Sequence, residues 1–116
     1  MVKLSKNEKT QLCVNLASHL PRIRALLNTT QKEFGELCGI STPRISVIEN
    51  EKFTMTWSQF AAILMVCMCN ISTKEYVYAN DILTDRLLQY LQRKDGNIPP
   101  TINIILDTEM IERYKV

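Results

Sequence analysis

The run Gln31-Lys-Glu-Phe-Gly-Glu-Leu-Cys-Gly-Ile-Ser-Thr-Pro-Arg-Ile-Ser-Val-Ile48 limits what this chain can become more than any other stretch. Thr30 and Glu33 form a capping box ahead of a helix. The Thr hydroxyl accepts from the Glu33 amide, and the Glu carboxylate accepts from the Thr30 N–H. Phe34, Leu37 and Cys38 follow at helical spacing, and Phe34 and Leu37 are expected to face inward. Gly39 stands where a left-handed C-cap belongs. Ser41 can cap a second helix that carries Pro43 in its first turn, where a missing N–H is tolerated. Ile45 and Ile48 share one face of that helix. Gly35 is small where two helices meeting steeply would touch, and Ile40 packs the turn. This is a helix-turn-helix pattern, whose second helix can enter a DNA major groove.

The rest of the chain also reads mainly as helix. Only 3 Gly and 4 Pro occur in 116 residues, which disfavours a turn-rich β-sandwich. Residues 8–17 carry Leu12, Cys13, Val14 and Leu16 as a first helix. Pro21 then marks a new helix or a kink before Ile23, Leu26 and Leu27. Thr56-Trp57-Ser58-Gln59 is a second capping box, opening an apolar helix that ends near Cys69. Trp57 is expected to anchor the core or a helix contact, and His19 to lie at a helix start or on the surface. Ser72-Thr73-Lys74-Glu75 reads as a third box. Its helix breaks near Asn80 and resumes through Leu83, Leu87, Leu88 and Leu91. Asp95-Gly96-Asn97 and Pro99-Pro100 form a loop. Residues 101–106 read as a short strand or extended arm, and Asp107 as the cap of a final turn through Met110 and Ile111. The expected fold class is all-α, with a helical C-terminal extension and that short terminal strand or arm.

Composition narrows the function classes. A hydrophobic share of 46% and a charged share of 22% suit a folded domain rather than a disordered chain. No run of about 18 apolar residues is present, so no membrane span is expected. The start Met1-Val-Lys-Leu-Ser-Lys lacks the apolar core of a secretion signal, and the cytoplasm is the expected location. The Cys residues 13, 38, 67 and 69 contain no Cys-x-x-Cys pair, and His19 is the sole His. The thiols are therefore expected as small core residues, with no metal site and no cofactor. No nucleophile–base or phosphate-loop constellation is present, so no enzyme is expected. The net charge of +2 is uneven. Residues 1–52 hold 8 Lys and Arg against 5 Asp and Glu, or +3; residues 53–116 hold 6 against 7, or −1. That is a mild hint of a polyanionic partner.

Residues 20–70 resemble the lambda-repressor/Cro-like (XRE) helix-turn-helix family. The resemblance lies in Ile23-Arg24, Thr30-Gln31, Gly39-Ile40-Ser41, Ile45-Ser46 and Ile48-Glu49-Asn50, followed by Lys52. The run Met55-Thr-Trp-Ser-Gln-Phe also resembles a subset of these regulators from Gram-positive bacteria and their mobile elements. The family implies a domain of about five helices that binds operator DNA, usually as a homodimer. Two positions depart from it. Gly35 replaces the usual Ala, at about 1 kcal/mol of helix propensity. Glu51 replaces the Gly that often follows the Glu-Asn pair, and adds a negative charge.

Roles follow for single residues. Thr42, Pro43, Ser46 and Val47 lie on the outward face of the helix spanning 42–50. Thr42 and Ser46 can hydrogen-bond base edges, whereas Pro43 and Val47 can meet only thymine methyls or exclude bases. Gln31 can bind phosphate at its helix start. Ser41 can cap its helix or touch phosphate. Arg44 can read a guanine or clamp a phosphate, and phosphate is favoured. Asn50 and Lys52 complete the phosphate set. The resemblance implies a different role for Arg24 and Glu49, a partly buried salt bridge.

The domains expected are residues 1–70 for DNA binding, with the helix-turn-helix at 31–50, and residues 71–116 as the extension. The leading function is a transcriptional regulator, a repressor by default, that binds a double-stranded operator as a homodimer. The extension then dimerises, with Leu83, Leu87, Leu88 and Leu91 as its apolar stripe. The alternative is an antitoxin or mobile-element inhibitor whose residues 72–116 bind a protein partner.

Overall fold

The computed structural model describes residues 1–102 and 108–115. Among them are seven α-helices and no strand. They are α1 (Lys6–Leu26), α2 (Gln31–Cys38), α3 (Thr42–Glu49), α4 (Trp57–Met68), α5 (Ile71–Ala79), α6 (Asp85–Leu91) and α7 (Thr108–Tyr114). Residues 103–106 of the expected arm, and the Asp107 cap, lie outside the described residues. The chain forms two compact units, Leu4–Thr84 and Met1–Lys3 with Asp85–Val116. Helix α5, read above as part of the extension, belongs to the first unit. No helix among the described residues is long and apolar enough to cross a membrane.

In the unit Leu4–Thr84, no new helix begins at Pro21, and α1 runs through it. Ser5 caps this helix by accepting from the Glu8 amide at 3.1 Å. Cys13, Leu16, Ala17, Leu20 and Ile23 form one buried stripe on both sides of the proline. An interior proline costs about 3 kcal/mol. Burying Leu20 and Ile23 completely returns about 1.5–3 kcal/mol each. Val14 lies off the stripe and is exposed. His19 is neither a helix start nor a bare surface residue. Its Nδ1 lies 2.6 Å from the Tyr76 hydroxyl, joining α1 to α5.

Helix α4 carries no charge because it packs against α1, α2 and α5. Phe60, Ile63 and Cys67 on α4 are buried, as are Phe34 of α2 and Ile45 and Ile48 of α3. The Thr30–Glu33 and Thr56–Gln59 capping boxes both form, each with one bond of 3.1 Å and one of 2.9 Å. The third box does not. Helix α5 starts at Ile71, and Thr73 is completely buried. A buried hydroxyl needs a partner, and the last carbonyls of α4 lack acceptor bonds from within the helix. The Thr73 hydroxyl accordingly donates to the Cys67 carbonyl at 2.7 Å, and the Asn70 amide to the Val66 carbonyl at 2.8 Å.

The scarcity of glycine has a structural counterpart. Asn28, Glu51 and Asp81 adopt left-handed φ values of 54°, 58° and 58° at the ends of α1, α3 and α5. Each is followed by the backbone bond of a Schellman motif: Thr29 to Arg24, Lys52 to Val47 and Ile82 to Val77.

Burial of the cysteines is graded. Cys13 and Cys67 are buried, Cys38 is half-buried and Cys69 is exposed. Burial pushes the Cys38 thiol up to about 11. Burial, and then the neighbouring Cys38, push Cys67 up to about 12. These are core thiols rather than nucleophiles. Cys69 departs from the core role expected for it.

In the second unit, the Val2 amide donates to the Lys94 carbonyl at 2.8 Å, and Arg86 donates to the Lys3 carbonyl at 2.9 Å. Leu87 and Leu88 of α6 are buried, and in the other unit so is Leu83. The leucine stripe expected to face a second chain is thus turned inward, with Leu91 alone exposed. Heptad-like spacing specifies a shared face but not what covers it.

Candidate nucleic-acid interface

Helices α2 and α3 are joined by residues 39–41, and glycine acts twice in setting that corner. Gly39 adopts φ 71°, a conformation that side chains with a Cβ disfavour. Gly35 has no such φ and is needed for space. A Cβ there would overlap the Ile40 carbonyl oxygen and lie 3.5 Å from Ile45 Cγ1. The Ile40 amide returns to the Gly35 carbonyl at 2.9 Å. The corner is therefore backbone packed on backbone. Leu37 departs from its expected place: it is 57% exposed, and Phe34 with Gly35 forms the buried face. A short helix carries too few turns for spacing alone to separate the two choices.

Helix α3 divides cleanly by face. Ile45 and Ile48 are completely buried. Thr42 and Pro43 are exposed, while Ser46 and Val47, one turn further on, are half-buried. Ser41 caps the helix, its hydroxyl accepting from the Arg44 amide at 3.3 Å. Asn50 and Lys52 are exposed beyond the last turn.

Arg24 and Glu49 meet in a bidentate pair. Arg24 Nε and Nη2 donate to the two Glu49 oxygens at 2.6 and 2.9 Å, with side chains 20% and 6% exposed. Arg24 also donates to the Thr29 carbonyl at 3.3 Å. The Glu49 hydrogen bonds, opposed by burial and aided by its charge, raise the guanidinium pKa further. Gln31 joins them, its amide donating to Glu49 at 3.2 Å. Glu49 thus ties the end of α1, the start of α2 and the end of α3. The Gln31 side chain is spent on this network, and its backbone N–H, in the first turn of α2, is one of the donors that the helix itself does not use.

One relation had no trace in the spacing. Arg44 bends toward the loop after α3, where its Nη2 donates to the Thr54 carbonyl at 3.1 Å. Its guanidinium carbon lies 5.7 Å from the centre of the Phe53 ring. A bond to a backbone carbonyl leaves no signature in residue identity. The exposed Phe53 beside Lys52 was the available signal. Trp57 is half-buried rather than core, stacked on Phe60 at 4.7 Å with Lys9 Nζ 5.3 Å from its ring.

Charge at this surface is balanced. Once Glu49 is paired with Arg24, residues 31–52 leave Lys32, Arg44 and Lys52 against Glu33, Glu36 and Glu51. Among the described residues no cluster of His, Cys, Asp or Glu could hold a metal ion. No protein-family model, curated protein or solved structure matches the chain.

Proposed function

We propose that the chain is a sequence-specific, double-stranded DNA-binding regulator of the lambda-repressor-like helix-turn-helix kind. It acts as a repressor in the cytoplasm, and its first five helices form the DNA-binding domain. The observation that carries this reading is the division of α3: two isoleucines wholly inside, and a row of short polar and apolar side chains open to a partner. Thr42 and Ser46 hydrogen-bond base edges, and Pro43 and Val47 meet thymine methyls. Arg44, Lys52, Asn50, Ser41 and the Gln31 backbone hold phosphates. Arg24 and Glu49 hold the helix in place.

Three cations per protomer supply little non-specific attraction. Binding should therefore weaken with salt at a log–log slope no steeper than about −3 per protomer. Two protomers on half-sites about one helical turn apart would supply the remaining affinity. Selection from random duplex DNA tests the proposal. An enriched inverted repeat is expected, and no preferred site at low salt would overturn it.

Dimerisation is part of this reading, but the buried Leu83, Leu87 and Leu88 do not serve it. Leu91, Ile98 and Ile102 are exposed in the unit that contains α6 and are the contacts assigned to it. A light-scattering mass that stays at one chain across micromolar protein would refute the dimer. The same exposed apolar groups favour a second reading, in which residues 72–116 bind a different protein, as an antitoxin or inhibitor does. Copurification of an unrelated chain in fixed proportion, with no enriched DNA site, would favour it.

A further inference from the structure

Among the described residues Arg44 has no carboxylate partner, yet its guanidinium is fixed from two sides, by the Thr54 carbonyl and by the Phe53 ring. Phe53 is 60% exposed, in a turn whose neighbours are polar, so core packing does not account for it. An arginine carries five N–H donors, and the Thr54 bond uses one. The other four remain for an anion. The side chain points to the loop after α3 rather than across the row formed by Thr42 and Ser46.

Resting on the duplex-binding reading, we infer that Phe53 is a positioning residue that presents Arg44 to a DNA phosphate rather than to a base. The ring and the carbonyl hold the guanidinium in one rotamer before binding. The rotamer freedom that a loose arginine would lose on the duplex is therefore already gone. The aromatic face suits this task, because a guanidinium stacks on it while keeping its in-plane donors directed outward. Arg44 then acts uniformly on all sequences, and discrimination stays with Thr42, Pro43, Ser46 and Val47.

The test is a salt titration of a fluorescent mixed-sequence duplex with wild type, Arg44→Ala, Phe53→Ala, Phe53→Leu, Phe53→Trp and the double Ala variant. Melting curves first establish that each is folded, and the exposure of Phe53 makes this the expected result. Arg44→Ala should flatten the salt slope by about 0.9. Phe53→Ala should weaken binding about two- to five-fold at low salt and flatten the slope in the same direction. Phe53→Leu, which keeps apolar bulk without the ring, should behave like Ala, and Phe53→Trp like wild type. The double variant should bind no more weakly than Arg44→Ala alone. Wild-type affinity and slope for Phe53→Ala, or single losses that multiply in the double variant, would overturn this role alone. A wild-type chain that leaves the duplex unbound would overturn the regulator reading, and this role with it.

Discussion

Gly39 at the end of α2 and Glu51 at the end of α3 adopt nearly the same left-handed backbone, at φ 71° and 58°, but the turns around them are built differently. The first is closed by main chain and apolar packing: Gly35 lies against the Ile40 carbonyl, and Ile40 is buried. The second is closed by the Lys52 amide on the Val47 carbonyl and lies on the surface, with Glu51 in a conformation that costs a residue bearing a Cβ about 1–2 kcal/mol, and Arg44 held beyond it by Phe53 and Thr54. One end of α3 is set by packing and the other by polar chemistry that a partner can reach. Changes near the first turn should therefore alter stability, and changes at the second should alter binding.

The largest expected effect lies where the two ends are joined. Glu49→Ala removes the acceptor shared by Arg24 and Gln31. Stranding one member of a buried pair costs about 3–5 kcal/mol; with Arg24 one-fifth exposed, about 3 kcal/mol is expected in urea unfolding. An unchanged midpoint would show that the pair does not hold α3. Next is Gly35→Ala, where two effects oppose. Helix propensity favours Ala by about 1 kcal/mol, but the new Cβ meets a backbone oxygen that cannot turn aside, and overpacking of this kind costs about 1–3 kcal/mol. A net loss is expected, measured in the same unfolding assay. A net gain would mean that the α2–α3 corner opens freely.

Glu51→Gly should act in the opposite sense. It relieves the left-handed penalty and removes a carboxylate, so stability should rise by about 0.5–1 kcal/mol. Duplex affinity should rise at low salt and less at high salt. A stability gain without an affinity gain would place Glu51 away from the phosphates.

How much of this could be read beforehand depends on how local each cause is. Two capping boxes were legible because a residue and its third neighbour contain the whole interaction. The third pattern, at Ser72 to Glu75, failed because α5 starts earlier, with Asn70 at the N-cap, so Ser72 lies inside the first turn. The need for a small residue at Gly35 and a left-handed one at Gly39 was visible, since each allows few substitutes. Leu37 and the leucines at 83, 87 and 88 were assigned to the wrong sides, because periodicity groups residues on a face without naming what covers it. The Arg24–Glu49 pair was reached only through a family resemblance. The charge of Arg44 is visible in the sequence, whereas its hold on Thr54 runs through a main-chain oxygen that residue identity does not encode.

The smallest expected effect compares two boxes of matched geometry. At the start of α2 the acceptor is the Glu33 carboxylate, and at the start of α4 it is the neutral Gln59 amide. The Thr30 backbone N–H, and then its hydroxyl, hold the Glu33 carboxyl below its ordinary value of 4.5. A carboxyl whose folded pKa is lowered stabilises the fold at pH values above the unfolded pKa, and that contribution is lost as pH falls through the folded value. Glu33→Gln should therefore melt a little earlier than wild type near neutral pH and converge with it in acid. Gln59→Glu, the reverse change on α4, should import the same acid sensitivity. Because both sites are open to water the difference will be slight, and melts across the acid range resolve it best as a change of slope. A Glu33→Gln variant that tracked wild type at every pH would mean that the charge adds nothing to a bond the neutral amide makes equally well.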